Sequence, residues 1–466
     1  MIEIINDTGK YEYEIHSLTK AFYPEEEIKV LCGSGQGDDE AALVYVFWDG
    51  TRREISVQMT DRDELKRTLY LRLCDMTGKT LPWGTLTGIR PVRLAARRLN
   101  AGKDRAEAID SMKKDYYVND DKAELAVDIA LRERQILSRL EKDSCSLYIN
   151  IPFCPTTCLY CSFTSNRVGK DRGAVKDYLL ALYREMEAVA PLLKSRTIDT
   201  VYIGGGTPTT LEPSELEELF CRIMACFDLC KLKEFTVEAG RPDTVTREKL
   251  RVMKKFGVSR ISVNPQTMNE DTLKLIGRRH TAPDVVSAFR QAREEGFDNI
   301  NMDLILGLPG ETVKDAEYTF SKVLELDPDN LTVHSLAVKR ASALRTLIDE
   351  KGYPPYEDTA EMMEKAIQRC RESGLFPYYL YRQKNMLGNL ENTGFAKEGK
   401  FGIYNILINE EVCDIVALGA GAVSKRVDED GTCSRSANFK MLDQYIANAD
   451  EMGLRKEKLF RSKWFT

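Results

Sequence analysis

The sequence contains very little histidine and tryptophan, and it has no long apolar run. Among its 466 residues there are 3 histidines and 3 tryptophans. A stretch of about 18 apolar residues, the minimum for a membrane-spanning helix, is missing. The N-terminus also lacks a basic segment followed by the apolar run of a secretory leader. These features predict a soluble cytoplasmic protein that does not act at a membrane.

Positive charge is not in excess either. Lysine and arginine number 67 against 73 aspartates and glutamates, so the formal net charge is -6. The isoelectric point is about 5.6. Because proteins that bind nucleic acid usually present a basic surface, we expect no nucleic-acid partner. Apolar residues make up 43% of the chain, which is enough for a sizeable core.

Cysteine, by contrast, occurs 12 times. In a reducing cytoplasm these residues are not expected to form a disulfide framework. A tight group of three is better explained by metal or redox chemistry. The scattered cysteines are expected to be thiols of the protein core: Cys32, Cys74, Cys370, Cys413 and Cys433.

The tight group lies in the segment NIPFCPTTCLYCSF, directly after an apolar run. Its spacing places Cys154, Cys158 and Cys161 on one compact loop. Structural zinc usually takes four ligands, whereas a four-iron cluster held by three thiolates keeps one iron open for a substrate. The loop therefore indicates a catalytic iron–sulfur cluster, with Tyr160 as a shielding aromatic residue. A zinc site completed by a distant residue such as Cys145 is the alternative.

The sequence pattern divides the chain into four predicted parts. Residues 1–80 alternate short strand-like runs with one helix, which indicates a small α+β domain. Residues 81–142 are expected to be a helical connector that contains the segment GIRP. Residues 143–340 form the central domain. Residues 341–466 are expected to be helical, then glycine-rich, and to complete the site as a C-terminal extension.

In the central domain, strand-like runs alternate with amphipathic helices. The runs are SLYINI, TVYIGG, EFTVEA, RISVNP, NINMDLILG and LTVHSL. About 25 to 55 residues separate them, which is enough for a helix between parallel neighbours. This α/β pattern predicts a (β/α) barrel, partial or complete. Reactive groups of such barrels lie at the carboxyl ends of the strands, where the cysteine loop also falls.

The motif CPTTCLYC resembles the CxxxCxxC signature of radical S-adenosylmethionine enzymes. Further blocks resemble, in order, those of the oxygen-independent coproporphyrinogen III oxidase family: YINIPFC, YIGGGTPTTL, TVEAGRPD, SVNPQTMNEDTLKLIGRRH, NMDLILGLPGET and LGAGAVS. The segment LPWGTLTGIRP, together with the long N-terminal part, is similar to the HemZ-type branch of that family. The resemblance covers roughly residues 145–440.

The resemblance implies two cofactors. One is a [4Fe–4S] cluster on Cys154, Cys158 and Cys161, and the other is S-adenosylmethionine at the open iron. Whether one or two adenosylmethionine molecules bind stays open, because the oxidases proper hold a second one in part of this site. The implied electron donor is reduced flavodoxin or ferredoxin.

Several residues are candidates for contacts with adenosylmethionine. Gly204, Gly205 and Gly206 end a strand and are expected to expose backbone N–H groups, with Thr207 as a further donor. Glu238 can accept hydrogen bonds from ribose hydroxyls or the methionine ammonium. A plain sharp turn and a solvated strand-end acid are the respective alternatives. The resemblance alone adds the remaining contacts: Tyr148, Gln266, Arg278, Asp303, Ala337 and Val423.

The substrate side of the site is less defined. Propionate groups of a tetrapyrrole should pair with arginine, whose guanidinium binds carboxylates in a bidentate fashion. Arg90, in a turn beside Gly88 and Pro91, is the main candidate for a catalytic clamp. Others are Arg93, Arg97, Arg98 and Arg241, and a solvated helix face is the alternative for all four arginines of GIRPVRLAARR, Arg90 included. Where many family members have His-Asn, this chain has Tyr404 and Asn405, which weakens inferences about substrate contacts there.

Taken together, the residues and the resemblance imply oxidative decarboxylation of coproporphyrinogen III propionates to vinyl groups. Three alternatives remain at this point. They are a haem-degrading radical methyltransferase, a haem-binding chaperone, for which only His16, His280 and His334 could serve as histidine ligands, and an RNA-modifying radical enzyme. The acidic composition argues against the last of these.

Overall fold

The computed structural model describes residues 1–6, 8–24, 26–33, 40–47, 49–58, 61–88, 90–141, 143–162, 165–169, 172–337, 342–346, 359–382 and 390–464. These residues form two compact units. The first contains Met1–Arg132 and Leu380–Glu391, and the second contains Glu133–Tyr379 and Asn392–Thr466. The four-part division of the sequence stays a prediction, and its boundary at residue 340 lies outside the described residues. None of the described helices combines the length and apolar character that a membrane span requires.

The first unit begins with an α+β arrangement. Its elements are β1 (Ile2–Asn6), α1 (Glu12–Phe22), β2 (Ile28–Cys32), β3 (Glu40–Val46), β4 (Arg52–Gln58) and α2 (Arg62–Thr77). The strands form one sheet in the order β2-β1-β3-β4, with only the β1–β2 pair parallel. Alternate residues of β1 are buried, and with α1 and α2 they build an apolar core that includes Ile4, Leu18 and Leu69.

Three further helices follow, and the last of them extends beyond Arg132, where this part of the first unit ends. They are α3 (Val92–Asn100), α4 (Arg105–Tyr116) and α5 (Asp120–Leu137). α4 begins with a capping box, in which Asp104 and Glu107 each accept the other's backbone N–H group. In α3, Arg98 donates to Asp115 and Ser111. Its guanidinium is therefore engaged within this unit.

The second unit contains the predicted alternation of strands and helices. Its strands up to residue 335 are β5 (Ser144–Ile151), β6 (Phe153–Cys154), β7 (Asn166–Arg167), β8 (Thr197–Gly205), β9 (Glu234–Glu238), β10 (Arg260–Ser262), β11 (Ile300–Leu306) and β12 (Asn330–Ser335). Its helices up to residue 372 are α6 (Gly173–Leu193), α7 (Pro213–Cys226), α8 (Arg247–Lys255), α9 (Glu270–Leu275), α10 (Ala282–Glu294), α11 (Val313–Leu324) and α12 (Thr359–Glu372). All six strand-like runs of the sequence are confirmed as strands.

The C-terminal part differs from its prediction, because it contains five strands. The elements are β13 (Phe376–Tyr381), β14 (Asn392–Ala396), α13 (Ile403–Glu410), β15 (Asp414–Leu418), β16 (Val423–Val427), β17 (Cys433–Ala437), α14 (Leu442–Ala447) and α15 (Ala449–Trp464). The helical part of the prediction corresponds to α12, whereas the sequence pattern did not predict the strands that follow it. β15 pairs in parallel with β5, a partner that is more than 260 residues earlier in the chain.

One large sheet organises the second unit. Its order is β13-β14-β12-β11-β10-β9-β8-β5-β15-β16-β17. From β12 to β15 all neighbours are parallel, whereas β14 and β16 join antiparallel. Among the described strands the sheet stays open, with β13 and β17 at its edges. The α/β class and a partial radical-enzyme barrel are thereby confirmed.

The parallel strands have one apolar face and one polar face. The apolar face consists of buried side chains that alternate with polar residues along each strand, such as Leu147, Val201, Val237 and Leu331. The register aligns the polar side chains of neighbouring strands, and we call their common surface the polar face. Its members are Ser146, Tyr148, Asn150, Thr200, Tyr202, Glu234, Thr236, Glu238, Arg260, Ser262, Asn301, Asp303, Asn330, Thr332 and His334.

The scattered cysteines do not all lie in the core. Cys370 and Cys413 are buried as predicted, whereas Cys74 and Cys433 are only half-buried. Cys32 is exposed, so its prediction as a core thiol was wrong. It ends β2, an edge strand whose last residues lie outside the apolar core.

Candidate functional site

The three-cysteine loop follows the carboxyl end of β5. Its first residues form β6, which pairs with β7. Cys161 donates its backbone N–H to the carbonyl of Cys158 (3.1 Å), which closes a tight turn between two of the cysteines. The three thiols are half-buried, and none forms a disulfide. The loop thus presents three free sulfurs at one end of the parallel sheet.

Backbone contacts anchor this loop to the segment after α9. Leu159 donates its N–H to the carbonyl of Ile276 (3.0 Å). The hydroxyl of Thr156 donates to the carbonyl of Gly277 (3.0 Å). Among the described residues, no three His, Cys, Asp or Glu side chains converge on a single metal ion. The chemistry of the site fits an iron–sulfur cluster, because three cysteines that form no disulfide share one loop, and two of their sulfurs contact polar neighbours.

Those polar neighbours are Thr207 and Arg241. The Sγ of Cys154 lies 3.6 Å from Oγ1 of Thr207. Burial raises the pKa of the Cys154 thiol. The Sγ of Cys158 accepts a hydrogen bond from Nη1 of Arg241 (3.6 Å). The sequence suggests Arg241 as a propionate partner. In the structure, its Nε and Nη2 donate to the carboxylate of Asp243 (3.0 and 3.1 Å). The guanidinium of Arg241 therefore contacts the cysteine loop, and the two parallel donors that could bind a propionate already bind Asp243.

The glycine run is required by close packing. A Cβ atom on Gly205, whose φ is +108°, would lie 1.9 Å from Oδ1 of Asn150. One on Gly206 would lie 2.5 Å from the carbonyl oxygen of Phe153, and one on Gly204 would lie 2.9 Å from the carboxylate of Glu238. Only glycine lets this strand end approach the cysteine loop and Glu238 so closely.

The expectation of free backbone N–H groups along this run is not met. The N–H of Gly206 donates to the carbonyl of Ile151 (2.9 Å), and that of Thr207 donates to Phe153 (2.7 Å). Gly205 donates its N–H to Glu238. The run therefore supports the start of the cysteine loop, because Thr207 donates to its first strand, Gly206 donates to the last residue of β5 and Gly205 donates to Glu238.

Glu238 ends β9 on the polar face. Its Oε1 accepts a hydrogen bond from the hydroxyl of Tyr202 (2.6 Å). Burial raises the pKa of Glu238, the hydroxyl of Tyr202 and the N–H of Gly205 lower it, and the nearby charge of Asp303 raises it, so that together they bring it to about 7. A carboxyl group that titrates near neutral pH in such a place is a candidate functional group.

Asp303 lies on β11, two strands from Glu238. Its carboxylate accepts hydrogen bonds from Nδ2 of Asn264 (2.8 Å) and Nδ2 of Asn301 (2.7 Å), and Nε2 of His334 is 3.8 Å away. Burial raises the pKa of Asp303, but the hydrogen bonds from His334 and Asn301 outweigh that effect and bring it below its usual value. The polar face therefore holds two carboxyl groups whose pKa values are shifted in opposite directions.

Gln266 occupies a left-handed backbone conformation, with φ of +69°. Its N–H donates to the carbonyl of Asp303 (3.0 Å), and its carbonyl accepts from Ile305 (2.9 Å). A non-glycine residue in this conformation costs about 1–3 kcal/mol and occurs preferentially at functional sites. The strained conformation is maintained because both the N–H and the carbonyl of Gln266 form hydrogen bonds with β11.

Arg278 connects the cysteine loop to the sheet. Its Nη2 donates to the hydroxyl of Tyr160 (3.0 Å), and its Nη1 donates to the carbonyls of Gly240 (3.1 Å) and Asn264 (3.4 Å). Burial lowers the pKa of Arg278, but the neighbouring Tyr160 and Cys158 outweigh it and hold it above its usual value. Arg278 therefore stays charged beside the three thiols.

Three tyrosines stack on the polar face. The ring of Tyr202 lies 4.4 Å from that of Tyr404, and both lie 6.1 Å from the ring of Tyr148. Tyr148 donates its hydroxyl to Oδ1 of Asn150 (3.0 Å). Tyr404, which departs from the family pattern, is thus a packing partner of the other two. Asn405 donates to the hydroxyl of Tyr378 (3.4 Å).

The remaining candidates lie at the ends of strands or in the first unit. Ala337 follows β12 and is half-buried, whereas Val423 begins β16 and is 37% exposed. Arg90 belongs to the first unit. Contacts of all these candidates with adenosylmethionine or substrate stay predictions.

Sequence reasoning missed five residues that shape the site. They are Asn150, Tyr202, Asn264, Asn301 and His334, each bonded or close to a predicted site residue. The pattern that could have identified four of them is the polar–apolar alternation within the strands. Parallel strands covered on both faces usually read as continuous apolar runs. An alternating parallel strand therefore indicates a face reserved for ligands.

Comparison with known proteins agrees with this geometry. Residues 148–323 match the model of the radical SAM superfamily. The oxygen-independent coproporphyrinogen-III oxidase-like protein HemZ of Bacillus subtilis is 42% identical over 83% of this chain and 79% of its own. The heme chaperone HemW of Bacillus subtilis is 37% identical over 59% of this chain and 70% of its own.

The oxidase of Escherichia coli is a further relative of known structure. Its oxygen-independent coproporphyrinogen III oxidase is 27% identical over 68% of each chain. The solved structure of that HemN protein, a radical SAM enzyme, superposes with a TM-score of 0.56 at 26% identity, covering 70% of this chain and 73% of its own. This chain therefore belongs to the oxygen-independent coproporphyrinogen III oxidase family of radical S-adenosylmethionine enzymes, on its HemZ-type branch, and its cofactors are a [4Fe–4S] cluster and S-adenosylmethionine.

Proposed function

We propose that this enzyme converts two propionate groups of coproporphyrinogen III to vinyl groups and so forms protoporphyrinogen IX. The observation that carries the proposal is the meeting of three free thiols with Glu238 and Asp303 at one end of a parallel sheet, in a chain related to HemZ over most of its length. Each conversion releases CO2 and removes two hydrogens from the substrate.

The residues of the polar face would bind and orient adenosylmethionine. When bound, the cluster and adenosylmethionine would supply the radical that removes a hydrogen atom from the β-carbon of a propionate, and the electron released with CO2 would pass to a one-electron acceptor. The hydrogen bonds of Asp303 keep its carboxylate ionised, and an ionised carboxylate is suited to bind the methionine ammonium or the ribose hydroxyls of adenosylmethionine. Arg278, which is buried and charged, suits the methionine carboxylate. Glu238 can accept from a ribose hydroxyl in its ionised form.

The tyrosine stack would exclude water from the reacting carbon. Tyr148, Tyr202 and Tyr404 place their rings together on the polar face. Removing water protects a radical from side reactions and strengthens electrostatic contacts inside the site. Ala337 and Val423 would add backbone or apolar contacts to adenosylmethionine.

Arg90 is proposed as the residue that pairs with a propionate. Its guanidinium offers two parallel donors to a carboxylate, which a lysine ammonium does not. Misplacement of the reacting carbon by about 1 Å can reduce the rate by about 100-fold. An arginine clamp at this position would therefore set the rate of vinyl formation without setting the rate of adenosylmethionine cleavage.

The electron for cleavage must come from outside the chain. We infer reduced flavodoxin or ferredoxin as the donor and the cytoplasm as the compartment, because all 12 cysteines are free thiols. A measurement of binding stoichiometry would show whether one or two adenosylmethionine molecules bind.

A haem chaperone is the second candidate, because one close relative carries that name. The structure limits the histidines that could ligate haem. His280 is 2% exposed, and His334 is 3.8 Å from Asp303. His16 is half-buried in α1 of the first unit. A carrier that uses a histidine ligand would have His16 and His334 partly accessible, because only His280 is fully buried.

Anaerobic incubation with adenosylmethionine, a reductant and either coproporphyrinogen III or haem tests the proposal. Mass spectrometry should show two successive losses of CO2 and two hydrogens from coproporphyrinogen III, with haem unchanged. Haem opened to a linear tetrapyrrole would indicate a methyltransferase of the haem-degrading kind. Tight haem binding without turnover of either compound would indicate a chaperone.

The variant Arg90→Lys separates the clamp from the general chemistry. Vinyl formation should fall at least tenfold while 5′-deoxyadenosine continues to form. Arg72→Lys, at an exposed position of α2, is the matched control and should behave as the wild type. Equal vinyl formation by Arg90→Lys and wild type would remove Arg90 from the site but would leave the decarboxylation proposal standing.

A further inference from the structure

We propose that Arg241, through its hydrogen bond to Cys158, stabilises the reduced form of the cluster on the three-cysteine loop. Arg241 is then a positioning residue that adjusts the reduction potential, in contrast to the propionate partner that the sequence suggested. The inference concerns the cluster alone, so it holds whichever tetrapyrrole the enzyme uses.

Arg241 is placed directly against the loop. It follows β9 by three residues and is only 3% exposed. Its Nη1 lies 3.6 Å from the Sγ of Cys158 and 2.9 Å from Oγ1 of Thr156. A distance of 3.6 Å is suitable for an N–H group that donates to sulfur. One guanidinium nitrogen therefore contacts the loop at a cysteine and at a residue between two cysteines.

Asp243 fixes the orientation of this guanidinium on the side away from the cysteine loop. Nε and Nη2 donate to the two carboxylate oxygens of Asp243 (3.0 and 3.1 Å). The carbonyl of Arg241 accepts from the hydroxyl of Thr244 (2.8 Å), in a short 3-10 turn over Pro242–Thr244. A bidentate pair of this kind holds the plane of the guanidinium, and so directs Nη1 at the sulfur.

The electrostatic consequence follows from the charge change on reduction. Reduction adds one electron, taken from a one-electron donor, and no proton, so the cluster region becomes one unit more negative. A hydrogen bond to a ligand sulfur favours the more negative state, and such bonds are among the factors that set the potential of iron–sulfur clusters. The effect is larger in a buried site because the local dielectric is low.

A double variant isolates the hydrogen bond from net charge. Arg241→Met with Asp243→Asn removes one positive and one negative charge together, and methionine has no donor. We expect iron and sulfide contents like those of the wild type and a more negative midpoint potential in a spectroelectrochemical titration of the reconstituted enzyme. A tenfold change in the reduction equilibrium corresponds to about 59 mV for one electron, and this is the size expected.

Arg293 with Asp329 supplies the matched control. Nη1 of Arg293 lies 2.5 Å from Oδ2 of Asp329, and Asp329 precedes β12 at the opposite end of the strands from the cysteine loop. Arg293→Met with Asp329→Asn removes the same pair of charges. Its midpoint potential should equal that of the wild type.

Arg241→Lys covers the case in which the double variant does not assemble its cluster. Lysine keeps the charge but cannot hold Asp243 and Cys158 with one rigid fork. A shift to more negative potential in the same direction supports the proposal. A wild-type potential in a fully loaded double variant, or in Arg241→Lys when the double variant is empty, would assign Arg241 a purely structural role and overturn the proposal.

Discussion

The sheets of the two units use alternation for opposite purposes. In the first unit, alternate residues of β1 such as Ile2 and Ile4 are fully buried in an apolar core. In the second unit, the alternate residues of β5, β8, β9 and β11 on the polar face are polar instead, and only part of them are fully buried. Thr200 and Thr236, for instance, are 0% exposed.

The two sheets therefore differ in how their buried side chains contribute to the free energy of folding. Burying apolar side chains stabilises a fold by about 25 cal/mol per Å². Burying a polar group without a partner costs about 1–3 kcal/mol. On the polar face, Nε and Nη2 of Arg260, Oγ of Ser262 and Oδ1 of Asn330 have no hydrogen-bond partner among the described residues. The polar face is therefore kept at a cost to stability, as expected of a surface that serves ligands.

The largest effect that would break the comparison is expected at Gly206. In Gly206→Ala the new Cβ would meet backbone atoms of Phe153, the nearest at 2.5 Å, and backbone cannot move aside as a flexible side chain can. The cysteine loop must therefore shift, and we expect nearly complete loss of iron and sulfide, measured after anaerobic reconstitution.

Gly78 in the first unit is the control for that substitution. Its φ is positive, at +67°, unlike that of Gly206, and nothing lies within 4 Å of a Cβ built on it. Gly78→Ala should cost about 1–2 kcal/mol through backbone strain alone and leave the iron content unchanged. Normal iron in Gly206→Ala would contradict the role of the glycine run as a support of the loop.

The next effect concerns the apolar core of the first unit. Leu69 in α2 is 0% exposed, so Leu69→Ala removes buried methyl groups and leaves a cavity. The free energy of unfolding should fall by about 2–5 kcal/mol, measured by urea titration with circular dichroism. Iron per folded molecule should not change. A change of less than 1 kcal/mol would show that this core contributes little to stability.

A third and smaller effect is the pH dependence that Glu238 imposes on stability. Burial raises its pKa to about 7, so the folded state holds a proton that the unfolded state has already released. Stability therefore falls as the pH rises from about 4.3 to about 7, by at most about 1.4 kcal/mol per pH unit, and not further above that range.

Glu238→Gln should remove this loss. Its free energy of unfolding, relative to the wild type, should be higher at pH 8 than at pH 5, as measured by urea titration of the apoprotein. Glu218→Gln, at an exposed position of α7, is the control and should show no such difference. An equal offset at both pH values would mean that Glu238 is ionised in the fold throughout this range.

The smallest effect is expected at Cys32. Because the residue is exposed at the end of an edge strand, Cys32→Ser should change the free energy of unfolding by less than about 0.5 kcal/mol. Iron content should also stay constant. A loss of iron in this variant, against an unchanged Cys370→Ser, would contradict the assignment of the metal site to the three-cysteine loop.

Local pattern was sufficient to predict β5, the five strands from β8 to β12 and the position of the cysteine loop. Each of these strands is a short run bounded by turns, and the loop residues are adjacent in sequence. The same pattern failed for β15, which has only five residues and is a strand because β5 offers it a parallel edge. Pairing across so many residues leaves no periodic trace near β15 itself.

The sequence by itself determined the three thiols, the strand alternation and the family to which the chain belongs, because these depend on residue type and spacing. Only the tertiary structure decided what the glycine run and Arg241 do. The N–H of Gly206 binds the last residue of β5, that of Thr207 binds the start of the cysteine loop, and Arg241 faces Cys158 across 83 residues of sequence. Such contacts arise where a sheet brings the ends of separate strands together, and no local pattern records which donor meets which acceptor there.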